Sequence, residues 1–326
     1  MRALICDEYG PPELLKIKEV EDPKIGPNDI LIKIKATGIN FPDGLIIQNL
    51  YQIKPNLPFS PGSEVAGIIE KIGNEVKDFK IGDRVIAMTT YGGLAAKIAV
   101  SSSRAIILPD DIDFNIGASL LMAYGTSLHA LKQRAQLQNG ETILVLGAGG
   151  GVSLAAIDLA HSMGANVIAA ASSQEKLNAA KEHGANNLID YSKGEWRTIL
   201  KESFGNNGFD VVFDPIGGNY AEPAFRMLQR NGRYLVIGFA SGEIPSIPFN
   251  LPLLKSAAIV GVFWGAFTIA ENETHKKNMN EIFEKLRKGK INPLISKVFS
   301  FEESANAIKW VMDRKAIGKI IVNMES

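Results

Sequence analysis

Cysteine is almost missing from this chain. One residue, Cys6, occurs in 326, so neither an internal disulfide nor a cysteine-based metal cluster can form within one chain. That scarcity suits a reducing cytoplasm. Net charge is missing too: 35 Lys and Arg balance 35 Asp and Glu. No overall field therefore recruits nucleic acid or an anionic membrane. The longest apolar run, Ala257–Phe267, is too short to span a bilayer. At the start, the acidic pair Asp7-Glu8 stands where a signal peptide needs its apolar segment. Internal repeats and low-complexity segments are absent. The four histidines, His129, His161, His183 and His275, fall on separate predicted helices or their ends, without metal-ligand spacing. A soluble cytoplasmic protein is expected, and 46% hydrophobic residues suffice for two cores.

What is present centres on Thr142–Lys176. The apolar run Thr142–Leu146 has the length and composition of a buried parallel strand. Gly147, Gly149, Gly150 and Gly151 follow, then a helical pattern over Val152–Met163 that stops at Gly164, then a second strand, Asn166–Ala171. Strand, glycine turn, helix and strand in that order describe a dinucleotide site. The turn lets a pyrophosphate approach the backbone, and the helix start offers unpaired N–H groups (Gly151, Val152) to the anion. The fingerprint is imperfect, reading Ala148-x-Gly150-x-x-Ser153 with small residues for the outer glycines; the competing reading is a tight loop. At the end of the second strand an NAD site carries Asp or Glu. Here Ala171 is followed by Ser172, Ser173 and, one turn on, Lys176. Two hydroxyls and an ammonium suit a 2′-phosphate, which favours NADPH. Alternatively, Ser173 caps the next helix and Lys176 is a solvated charge.

Upstream, residues 1–123 read as β-rich. Asp29–Ala36 alternates with period two, and Glu64–Ile72, Arg84–Met88, Lys97–Val100 and Ala105–Leu108 follow as strands between Gly, Pro and Asp turns. Asp113–Leu137 reads as helical. Downstream, helix Gln174–Glu182, strand Asn187–Asp190, helix Glu195–Phe204, strand Phe209–Phe213, helix Tyr220–Leu228 and strand Arg233–Gly238 continue an α/β doubly wound parallel sheet. Ala257–Trp264 reads as a further strand. A polar helix near Glu273–Arg287 follows, then Glu302–Lys315, opened by the capping box of Ser300 and Glu303. The last strand, Lys319–Asn323, is assigned back to the first domain.

Six segments carry a resemblance: Gly38-Ile39-Asn40-Phe41-Pro42-Asp43, Pro61-Gly62-Ser63-Glu64-Val65-Ala66-Gly67, Gly82-Asp83-Arg84-Val85, Ala123-Tyr124-Gly125-Thr126, the glycine turn, and Phe213-Asp214-Pro215-Ile216-Gly217-Gly218. Together they resemble the zinc-independent quinone oxidoreductase type of the medium-chain dehydrogenase/reductase superfamily, over nearly the whole chain. The resemblance implies a GroES-like β-barrel catalytic domain (1–123 and 265–326), a Rossmann domain (124–264), and an active site in the cleft between them. The superfamily's zinc branch has Cys where this chain has Asn40 and His where it has Ser63, so no metal is expected. Hydride transfer from NADPH to a quinone follows as the expected reaction. An enone, alkenal or enoyl-thioester reductase is the alternative, and an NADPH-binding module with little turnover is a third.

The resemblance also assigns residues. Asn40 and Thr126 would lie at the nicotinamide end, walled by Gly238-Phe239-Ala240 and Phe263-Trp264-Gly265. Tyr191 and Arg314 would accompany Lys176 at the adenosine phosphate, Arg314 being as easily an exposed charge. Tyr51 could orient or protonate an acceptor oxygen, while Asp43 could serve only its own turn. Ala257–Trp264 would form an exposed sheet edge, which in related proteins joins two subunits; a homodimer is expected.

Overall fold

The computed structural model describes residues 1–205 and 207–325; Ser326, the last residue of the expected first domain, lies outside them. The chain divides into two compact units, Met1–Met122 with Ile295–Ser326, and Ala123–Leu294.

In the first unit a seven-stranded sheet runs in the order Ile295–Ser300, Lys319–Asn323, Asp29–Ile39, Glu64–Ile72, Arg84–Met88, Ala105–Ile107, with Lys97–Ser101 paired to the first half of Asp29–Ile39. The long strand changes partners along its length. Residues 29–33 face Lys97–Ser101, whereas 36–39 face Lys319–Asn323. That curvature explains why the period-two reading holds only in part: Ile30, Ile32 and Ile34 are buried, and so is Leu31 between them. The assignment of Lys319–Asn323 to this unit holds, since Ile320 pairs antiparallel with Ile39 and Asn323 with Ala36. Three strands escape a reading from pattern: Arg2–Ile5 and Lys16–Glu19, which pair with each other, and Ile295–Ser300.

The second unit holds a six-stranded, wholly parallel sheet ordered Asn187–Asp190, Asn166–Ala171, Thr142–Leu146, Phe209–Asp214, Leu228–Val236, Ala258–Gly261. In chain order of its strands this is 3-2-1-4-5-6, the doubly wound dinucleotide-binding arrangement. Its ligand end lies at the carboxyl ends of Thr142–Leu146 and Phe209–Asp214, where the order reverses.

Three expectations change. Asp113–Leu137 is not one helix: it breaks into Phe114–Gly117, two wide π-type turns at Leu121–Gly125 and His129–Arg134, and Thr126–Leu128 between them. The apolar run from Ala257 splits, giving strand Ala258–Gly261 and helix Trp264–Ala270. Hydrophobicity alone does not tell a buried strand from a buried helix. Residues 265–294, expected with the barrel, belong to the second unit. The cause is local: Phe267 stacks on His129 at 3.9 Å, Asn278 and Gln133 exchange amide hydrogen bonds at 3.1 Å, and Asn292 N–H reaches Asp158 at 3.0 Å.

Candidate active-site constellations

In the second unit, the site is made of main chain. Gly147 turns the chain at φ +60°. The Ala148 N–H then bonds the Ala170 carbonyl and Gly150 N–H bonds the Gly147 carbonyl, both at 2.9 Å. Helix Gly151–Ser162 begins with no side-chain cap, leaving the N–H groups of its first turn, Gly151 and Val152 among them, for an anion. Exposed Gly150 faces open space, for an added Cβ would meet only the Gly147 carbonyl at 3.5 Å. Gly149 has another reason to be glycine. A Cβ there would come within 2.4 Å of Lys176 Cγ, so the Lys176 stem lies directly across the turn. Ser153 donates to the Leu146 carbonyl at 2.9 Å and is fully buried; a small residue at this fingerprint position seats helix against strand.

Around that turn, Ser127 Oγ donates to the Val152 carbonyl at 2.8 Å, tying the segment of buried Thr126 to the same helix. Ala171 is buried, and Ser172 is exposed beyond it. Ser173 does cap the following helix, accepting from Lys176 N–H at 3.4 Å. The Tyr191 ring packs 4.7 Å from Tyr220 and 5.9 Å from Trp196. Gly238-Phe239-Ala240 runs past the end of the fourth strand, with Gly238 N–H on the Asp214 carbonyl and Ala240 N–H on that of Pro215. Asp214 is itself buried and takes Ile216 N–H, Gly217 N–H and Tyr234 O–H at 2.7, 2.9 and 2.5 Å. Burial still raises its pKa above the usual carboxylate value. Phe263, Trp264 and Gly265 do not form one surface: Phe263 and Gly265 are exposed, whereas Trp264 is buried against Gly125 and edge-on to His275. Trp264 Nε1 and His275 Nδ1 lack hydrogen-bond partners among the described residues, and burial pushes His275 down to about 4, with His129 and Lys276 adding to it.

In the first unit, side chains do the work. Asn40 stands at the junction of strand Asp29–Ile39 and helix Phe41–Ile46. Its Nδ2 donates to Glu64 Oε2 at 3.0 Å and to the Gly38 carbonyl at 3.2 Å, and its Oδ1 accepts from Lys319 Nζ at 2.6 Å. Lys319 Nζ also donates to Glu64 Oε2 at 2.8 Å, and Met122 N–H donates to the other Glu64 oxygen at 3.0 Å. Glu64 is wholly inaccessible and Lys319 is 5% exposed. Asp43 takes Asn40 N–H at 2.7 Å. Burial pushes Asp43 up to about 6, against the opposing pull of Asn40 N–H, of Ser63 and of the Lys319 charge. The Ser63 hydroxyl, close enough to favour the anion, lies outside hydrogen-bond geometry and is buried without a partner among the described residues. Half-buried Tyr51 is raised above its ordinary value, first by burial and then by the Asp43 charge. Arg314 is exposed in this unit and sits in a left-handed turn at φ +58°.

Two family models match: "Alcohol dehydrogenase GroES-like domain" over residues 26–110 and "Zinc-binding dehydrogenase" over residues 151–284. Quinone oxidoreductase-like protein 2 of Rattus norvegicus is 36% identical over 99% of this chain and 92% of the relative. The chain belongs to the medium-chain dehydrogenase/reductase superfamily and is quinone oxidoreductase-like. The crystal structure of Escherichia coli quinone oxidoreductase complexed with NADPH superposes on this superfamily member with a TM-score of 0.92 at 27% identity, covering 99% of this chain and all of that one. A probable oxidoreductase from Mycobacterium abscessus gives a TM-score of 0.88 at 33% identity over 99% of both chains.

Within this quinone oxidoreductase-like chain, sequence reasoning left Lys319 without a role and quoted Glu64 only inside a motif. The usable sign is a charge next to an uninterrupted apolar strand, in Glu64-Val65-Ala66 and Lys319-Ile320-Ile321. Such charges are rarely buried unless paired.

Proposed function

We propose that this chain is an NADPH-dependent oxidoreductase that delivers hydride to a quinone or similarly activated acceptor without zinc. The observation that carries it is the open glycine turn with Lys176 lying across Gly149 and an uncharged Ala171 at the ribose position. A carboxylate at Ala171 would repel a 2′-phosphate; the Lys176 ammonium and the Ser172 and Ser173 hydroxyls attract one. Gly149, Gly150, Gly151 and Val152 would hold the pyrophosphate, and Tyr191 and Arg314 the adenosine side. Asn40, Thr126, Gly238, Phe239, Phe263, Trp264 and Gly265 would attend the nicotinamide half. NADPH supplies the hydride, and the protein supplies orientation and exclusion of water. Tyr51 is the candidate to orient or protonate the acceptor oxygen.

A zinc ion does not suit the donors around Asn40. An amide and a hydroxyl replace thiolate and imidazole, and the Lys319 ammonium already neutralises Glu64. An acceptor that takes hydride without a Lewis acid is therefore favoured. Purified protein should consume NADPH in the presence of small quinones, faster than with enals, and carry less than stoichiometric zinc by elemental analysis. Faster turnover of enals, with quinones inert, would move the assignment to the reductase alternative. Tight NADPH binding with every acceptor inert would leave a binding module.

The reading includes a homodimer. Strand Ala258–Gly261 has one free edge, with Ile259 exposed, and the neighbouring segment carries Phe249, Leu253 and Leu254 at 88%, 78% and 76% exposure. Unpaired apolar edges seek a partner. Sedimentation at micromolar concentration should give twice the chain mass, and a monomer there would reject it. Among the described residues no helix is long and apolar enough to cross a membrane. Cys6, free and buried, fits a reducing cytoplasm.

A further inference from the structure

Strands Thr142–Leu146 and Phe209–Asp214 pair in parallel and end side by side where the sheet order reverses. A dinucleotide on such a sheet crosses there from its adenosine half to its nicotinamide half. The first strand leads to a row of N–H groups. The second ends in a carboxylate, Asp214, a poor neighbour for phosphates, but its charge is turned inward. Oδ1 accepts from Ile216 and Gly217 N–H at 2.7 and 2.9 Å, and Oδ2 from the Tyr234 hydroxyl at 2.5 Å. Asp214 and Tyr234 are both buried, so losing one of these partners is costly. The bonds shape residues 215–218. Gly217 and Gly218 follow at φ +68° and +57°, two left-handed residues in a row, which glycine adopts readily. Pro215 has no N–H, those of Ile216 and Gly217 go to Asp214, and that of Gly218 goes to the Glu243 carbonyl at 3.0 Å. The main-chain donors of the segment are thereby spent. What it presents instead is apolar. A Cβ on Gly147 would lie 2.6 Å from Ile216 Cδ1, and one on Gly217 would lie 2.9 Å from Phe239 Cδ1. Ile216 therefore rests against the first glycine of the turn, and Phe239 against the bend that Asp214 holds.

We infer that Asp214, itself held by Tyr234, is a positioning residue that makes residues 215–218 an apolar sill across the path of the cofactor. Ile216 packs against the cofactor beyond its pyrophosphate, on the nicotinamide side. The phosphates find no main-chain donor on the sill and are left to the start of helix Gly151–Ser162. This assignment, which rests on the NADPH reading above, involves the second unit alone.

Calorimetry with two ligands tests it: NADPH, and adenosine 2′,5′-bisphosphate, which lacks the nicotinamide half. Asp214→Ala removes the acceptor of two N–H groups and should weaken NADPH about tenfold, leaving the bisphosphate unchanged. Asp214→Asn keeps a carbonyl oxygen for those N–H groups and offers an amide N–H to the Tyr234 oxygen. It should bind NADPH within about threefold of the parent. Ile216→Ala keeps the main-chain bonds but lowers the sill, and should weaken NADPH about fivefold with the bisphosphate again unmoved. Hydrogen exchange without any ligand gives a second reading. The Ile216 and Gly217 amides should exchange at least about tenfold faster in Asp214→Ala than in the parent or in Asp214→Asn. Equal loss of both ligands in Asp214→Ala would mean a general structural role and would overturn the inference. So would unchanged NADPH affinity in Ile216→Ala, or an Asp214→Asn protein that folds yet binds as poorly as Asp214→Ala. If Asp214→Ala does not fold, Ile216→Ala and Tyr234→Phe decide. Tyr234→Phe should speed exchange of the same two amides and weaken NADPH about threefold; no change in either would also overturn it. Failure of the parent to bind either ligand would instead refute the NADPH reading.

Discussion

The two units prepare for a ligand in opposite ways. At Gly147–Gly151 the main chain itself is the proposed receptor, and side chains matter mostly by being absent. At Asn40 the main chain is satisfied, and side chains from residues 40, 43, 64 and 319 make a charged, water-poor centre. A receptor made of backbone tolerates change around it but not a new Cβ. A receptor made of paired charges tolerates new shapes poorly, since losing one charge strands its partner.

The largest effect should come from stranding a charge. Glu64→Ala leaves the Lys319 ammonium buried with only the Asn40 oxygen, at a cost of about 3–5 kcal/mol to the first unit, measurable by urea denaturation. Equal stability in the variant would mean that water reaches Lys319 freely. In the second unit the comparable change is one of affinity. Lys176→Ala should weaken NADPH roughly ten- to a hundredfold, leave NADH nearly unaltered and hardly move the melting temperature. Ala171→Asp should act in the same direction by repulsion. Equal losses for both cofactors would show that Lys176 serves the turn and not the 2′-phosphate.

Two pH profiles sharpen the contrast, because the buried titratable groups have opposite signs. Asp43 is raised to about 6 in the folded protein. The native state then holds more proton than the unfolded chain, so this contribution to stability is present at acid pH and lost as pH rises through about 6. Asp43→Asn should keep the acceptor for Asn40 N–H and gain on the order of 2 kcal/mol over the parent at pH 7, shrinking toward pH 4. His275 is lowered to about 4. Its contribution is present above the unfolded value near 6.5 and lost as pH falls through 4. His275→Phe should therefore flatten the acid limb by about 1–2 kcal/mol at pH 5. Profiles that respond in the same direction would contradict one of these two environments.

The same contrast explains what could be read from residues alone. The glycine turn and its flanking strands are contiguous, so spacing within Thr142–Ala171 exposes both element and role; five of the six parallel strands follow from length and composition. The Asn40 centre is not contiguous. Lys319 lies 255 positions from Glu64, and although each stands beside an uninterrupted apolar strand, nothing local says that the two charges pair with each other. The divided run at Ala258–Ala270 failed for another reason: continuous hydrophobicity carries no period to separate strand from helix. Trp264, read as a wall residue, is buried against Gly125 and edge-on to His275, the second a contact that only the folded helix Asn272–Arg287 creates.

The placement of Lys319 also bears on how the protein comes off the ribosome. Residues 123–294 form one uninterrupted stretch, so the whole of that unit is translated before the first unit receives its last two strands. The barrel-like unit must wait: until position 319 has been translated, Glu64 has no countercharge. Its assembly is thereby delayed until the nucleotide-binding stretch has been made.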